Sequence, residues 1–157
     1  MLEARVWIKA LSQADIVETH ERRLTGYERK LAAYYPMNEG RGTSCADKAS
    51  GSTLSLHGFA WTTPAGFALH LDGTQAVSLD QNILSRSNIQ DYTLMFWFRT
   101  TEYNVPLFSA GWRQRGYQGV DGFDGTLIAI ENGRLRFRNG NLMQQATGTF
   151  ADGSWHH

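Results

Sequence analysis

The sequence predicts an all-β chain, an antiparallel β-sandwich of jelly-roll type, and three observations predict it. From Leu31 onward, short apolar runs are separated by glycine-bearing turns, and 16 glycines among 157 residues supply the turn chemistry. The stretch TLIAIENGRLRFRNG holds two alternating runs around Asn132-Gly133, a pair that favours positive φ and so a type I′ hairpin turn. One short helical pattern appears near the start and no βαβ alternation follows it, which leaves antiparallel hairpins to build the core.

The elements follow in order. In ARVWIK, Val6 and Ile8 alternate with Arg5, Trp7 and Lys9, the period of a strand with two unlike faces, expected as an outer or penultimate strand. Ser12 with Asp15 three positions on forms a helix start, because the serine oxygen can accept from an orphan amide and the acid lies near the positive helix end. A helix over 13–23 is expected, anchored by Ile16, Val17 and Leu24 and stopped by Thr25-Gly26, with 27–30 as a linker. Strands are then expected at 31–35, 54–58, 67–71 and 75–79. DYTLMFWFRT reads as a central strand covered on both faces, Leu94, Phe96 and Phe98 to one side and Met95 and Trp97 to the other. In the late hairpin, Leu135 and Phe137 should face the core and Arg134, Arg136 and Arg138 the solvent.

Composition narrows the function classes. The formal net charge is +0, so nothing suggests electrostatic capture of nucleic acid or of an anionic membrane surface. No apolar run is long enough to span a bilayer as a helix, so membrane insertion is not expected. Cys45 stands alone, which rules out an intrachain disulfide and suits a small buried or loop residue.

Several segments, in order, resemble the laminin G-like (LamG) family of concanavalin A-like jelly rolls. LAAYYPMNEGRGTSCADKASG resembles the family's opening strand and glycine loop, FALHLDGTQAVSL its DG hairpin, DYTLMFWFRT its central strand, and ATGTFADGSWHH the run into a late strand. VWIKALSQADI resembles the last strand and short helix that close such a domain. The resemblance implies a fragment straddling two repeats of a larger protein: 1–26 closing a preceding repeat, 27–30 a linker, and 31–157 a sandwich lacking its last strands. It also implies a non-catalytic module of a large surface or secreted protein, binding glycan or extracellular protein ligands in adhesion beside neighbouring LamG-like repeats. An architectural spacer and an accessory module of a carbohydrate-active enzyme are the alternatives. Because ARVWIK resembles the closing strand that this repeat lacks, it is expected either to fill that place, in its own molecule or a neighbour, or to leave an edge that drives strand-mediated self-association.

Candidate chemistry is sparse. A glycosidase needs two carboxylates flanking the scissile bond, and no expected strand offers such a pair. Glu131 stands at a hairpin end among basic residues, and His57, His70, His156 and His157 lack catalytic spacing, so no catalytic residue is assigned. Calcium is the cofactor to consider, since many LamG-like domains hold one structural ion through loop oxygens. Resemblance puts Glu39 and Asp47 at the family's acidic positions, and the DG turn adds Asp72; the asparagine-rich stretch usual after them is here KASGSTLSLHG. The competing reading makes Asp47 the cap of a turn and Glu39 a solvated side chain. For ligand binding, the loop GWRQRGYQGVDGFDG over 111–125 sets Trp112, Tyr117 and Phe123 beside Arg113, Arg115, Asp121 and Asp124, flat apolar faces next to charged hydrogen-bonding groups. Trp97 matches the family's core tryptophan, and Trp7 and Trp61 read as packing residues.

Overall fold

A computed structural model describes residues 3–56, 60–62, 68–71, 91–113 and 123–157. Its elements are β1 (Ala4–Trp7), α1 (Gln13–Thr19), β2 (Leu31–Tyr35), β3 (Ser44–Ala46), β4 (Thr53–Ser55), β5 (Ala60–Thr62), β6 (Ala68–His70), β7 (Thr93–Phe96), β8 (Asn104–Arg113), β9 (Phe123–Glu131), β10 (Arg134–Asn139) and β11 (Leu142–Gln145). Every strand pairing among them is antiparallel, and α1 is the one α-helix among the described residues, so the expected all-β class holds. The expected strand at 75–79 lies outside the described residues. The chain divides into two compact units, one of residues 1–97 with His157 and one of residues 98–156.

In the first unit the strand order is β2-β1-β7, with Val6 opposite Ala33 on one side and Leu94 on the other. The N-terminal strand thus pairs within its own chain and takes the middle place of these three, one strand from either edge, in keeping with the expected penultimate strand. The charge on this strand is compensated chemically: Arg5 is 1% exposed, and its guanidinium donates to the Glu3 carboxylate at 2.5 Å, to Thr19 O and to Arg22 O at 2.6 Å. Strand alternation alone could not reveal that α1 and the turn after it would present carbonyls to this side chain. The Tyr34 hydroxyl donates to Glu3 at 3.3 Å, and the Arg5 guanidinium lies 5.7 Å from the Tyr34 ring centroid. Burial pushes the Glu3 carboxyl above its ordinary value, outweighing the pull of Arg5 in the other direction.

Trp7, Leu24, Tyr34 and Met95 form the core cluster here, with Leu11, Ile16, Leu31 and Ala49 packed on it. The capping box at the start of α1 is complete: Asp15 N donates to Ser12 Oγ and Ser12 N to Asp15 Oδ2, both at 3.1 Å. The helix ends at Thr19 rather than 23, and Val17, expected as an anchor, is exposed. Gly26 does not cap it. Its φ of +96° sits in a separate turn where a Cβ would collide with Lys48 O, and the Glu28 carboxylate gathers the Thr25 and Gly26 amides at 2.8 and 2.9 Å. The expected linker is therefore a hydrogen-bonded turn. Two small hairpins, β3 with β4 and β5 with β6, complete the described part of this unit.

The second unit is a meander in the order β11-β10-β9-β8. Asn132 at φ +52° and Gly133 at φ +76° join β9 to β10, both residues left-handed as a type I′ turn requires. Ile130 is fully buried, Leu135 and Phe137 are half-buried, and Arg134 is exposed as expected. Arg136 is less free than a solvated side chain, since it pairs with Glu131 and donates to Gln145 at 3.1 Å. The register slips between Pro106 and Phe108, where β8 carries a bulge against β9. An isolated antiparallel bridge joins Phe98 to His156, so the expected strand beginning at GSWHH starts as a single pairing.

Candidate functional site

The segment 111–125 is only partly a loop. β8 runs on to Arg113 and β9 begins at Phe123, with Gly111 opposite Gly125, Trp112 opposite Asp124, and Arg113 opposite Phe123. Glycines counted as loop signals are here partners across a ladder, a place where a missing side chain is tolerated because the main-chain bonds persist. Trp112, Arg113, Phe123 and Asp124, expected on the loop, thus hold paired backbone positions at one hairpin end. Arg115, Tyr117 and Asp121 lie outside the described residues.

The acidic candidates have a different setting. Asp47 is buried at the end of β3, and its Oδ1 accepts from Tyr34 N at 2.9 Å and Ala49 N at 2.8 Å, while Oδ2 accepts from Ser50 Oγ at 2.7 Å. The bond from Ala49 closes an Asx turn over Asp47–Ala49, and that from Tyr34 ties the turn to β2. Glu39 Oε1 accepts from Ala46 N at 2.9 Å, and Oε2 is buried without a hydrogen-bond partner. A hard cation needs several converging oxygens, and Asp47 has already committed both of its own to N–H and O–H donors. As they stand, Asp47 and Glu39 fit a turn clamp better than a calcium cradle, and no cluster of three or more metal-ligating side chains occurs among the described residues. Asp72 lies outside them. Cys45, between the two acids in sequence, is buried, and burial followed by the nearby Glu39 charge pushes its thiol up to about 12.

No family model matches the chain, and no curated protein or solved structure is found similar to it.

The other sequence candidates fall into structural roles. Trp7 is buried in the core cluster, whereas Trp97 is half-buried with the His157 ring 4.9 Å from it. Trp61 is half-buried and donates from Nε1 to Gly42 O at 3.1 Å. His156 contacts the Phe98 and Phe150 rings and hydrogen-bonds Asp152 at 2.9 Å, and that bond holds the Asp152 carboxyl below the usual range. Ser154 N donates to the same Asp152 oxygen at 2.8 Å, so the acid organises the turn ahead of the bridge. Two features escaped sequence reasoning. One is the buried Glu3–Arg5–Tyr34 group, whose only signal was a charge inside a strand pattern. The other is Arg99 over the Trp155 ring at 5.3 Å, a pairing across more than fifty residues of sequence with no local signal at all.

Proposed function

We propose that the chain is a non-catalytic LamG-like module of a large surface or secreted protein, a jelly-roll sandwich that holds a glycan or protein ligand at the end of the β8–β9 hairpin. The supporting observation is the register that sets Trp112 opposite Asp124 and Arg113 opposite Phe123. Two aromatic residues, an arginine and an aspartate at paired positions of one hairpin end are the residue types from which a site with stacking area and charged hydrogen-bonding groups is made. The reading also accords with the antiparallel, turn-rich architecture and with the family-like order of segments in the sequence.

The test is a glycan array probed with the chain, followed by titration of each hit against Trp112→Ala and Arg113→Ala. Loss of a stacking or bidentate contact should weaken binding by about tenfold or more, with an unchanged circular dichroism spectrum. Hits that bind both variants as well as the parent would place the ligand elsewhere. An array and a panel of extracellular matrix proteins that are both without hits would favour the architectural spacer.

A further inference from the structure

The two edges of the β11-β10-β9-β8 sheet differ in kind. β8 carries Pro106, which has no amide hydrogen to offer, and a bulge beside it, both devices that blunt an edge. β11 has neither. Its four residues are all exposed and uncharged, Leu142 and Met143 at 53% and 54%, and among the described residues it is paired on one side only. Ala146 N donates to Leu135 O at 2.9 Å, and Asn139 pairs with Leu142 across a two-residue turn, which fixes the alternation: Leu142, Gln144 and Ala146 turn their main-chain groups toward β10. Met143 and Gln145 therefore turn theirs outward.

We infer that β11 is a docking edge for a second copy of this chain, the two β11 strands pairing antiparallel about a two-fold axis at Gln144. In that register Met143 of each copy faces Gln145 of the other, so every outward N–H meets an outward carbonyl, and Gln144 faces its own counterpart. Charge favours this occupant. β11 contributes no charge; of the two arginines beside it on β10, Arg136 pairs with Glu131 and Arg138 reaches the Met143 sulfur at 3.6 Å, and the chain's formal net charge of +0 gives two copies no net repulsion. Leu142 and Met143 lose exposed apolar surface on pairing, which adds to the main-chain bonds. The sheet would then run continuously through both copies, with β8 and its proline at each outer rim.

The test uses the full chain in sedimentation velocity. The parent should sediment as a dimer. Gln144→Lys and Gln144→Glu each set like charges directly opposite on the axis and should each weaken association by about tenfold or more, while an equimolar mixture of the two should recover it. Circular dichroism spectra matching the parent would show that both variants fold, as expected for an exposed site. A monomeric parent, dimers that survive both charges, or a mixture that stays monomeric would each overturn the inference.

Discussion

A guanidinium buried as completely as that of Arg5 needs its donors matched, because an unpaired charge in the interior costs far more than an unpaired amide. Glu3, Thr19 O and Arg22 O supply most of the match, and Nε is the donor left without a partner. Arg5→Ala would strand the Glu3 carboxylate, and urea titration should show a loss of about 3–5 kcal/mol. Glu3 itself gives a pH signature. Its carboxyl is raised by burial, so the stability it contributes is fully present below its unfolded value of about 4.5 and is lost as pH rises through the higher folded value. The parent should therefore lose stability relative to Glu3→Gln as pH climbs from 4.5, the other carboxyls cancelling in the difference; a flat difference would mean that Arg5 cancels the desolvation. The Cys45 thiol, pushed up to about 12, should resist alkylation at pH 8 in the native chain and react promptly in urea, a contrast that a thiol-reactive chromophore reads directly. The burial of Cys45 was legible from its residue type, whereas the settings of Glu3 and Arg5 were not, since they depend on what distant segments bring to the side chain.

At the scale of elements, local chemistry was legible wherever it was self-contained. Ser12 with Asp15 and Asn132 with Gly133 specify a helix start and a hairpin turn through groups a few residues apart, and both form as expected. Gly133→Ala should cost about 1–2 kcal/mol, measured by thermal unfolding, because the residue sits at φ +76° and a Cβ would meet the Tyr103 ring at 3.1 Å. The helix end was less legible. Its apolar spacing reached Leu24, and Leu24 is indeed buried, but by a turn that follows the helix rather than by the helix itself. β8 and β11 were missed for opposite reasons. β8 carries Pro106 and glycine, which read as breakers yet are tolerated on a bulged edge, and LMQQ lacks the alternation that marks a strand with one buried face. The candidate ligand residues were found by type, while their opposition in pairs came from the β8–β9 register.

For the whole molecule, the two units differ in how far apart in sequence their partners lie. β8 to β11 pair as successive hairpins, whereas β1 joins Ala4 to Phe96 and so closes most of the first unit's chain into one loop. Removing residues 1–10 deletes the strand between β2 and β7. Amide exchange should then show protection lost throughout β2 and β7 but retained in β9 and β10; equal loss in both units would show that they fold as one. The sequence by itself determined the all-β class, the antiparallel hairpins and the capping chemistry, because periodicity and turn residues act over a few neighbours. Only the tertiary structure decided that β1 lies between β2 and β7, that Arg5 is buried, and that Asp47 ties its turn to β2, because each depends on hydrogen-bond partners from segments that chain order does not place together.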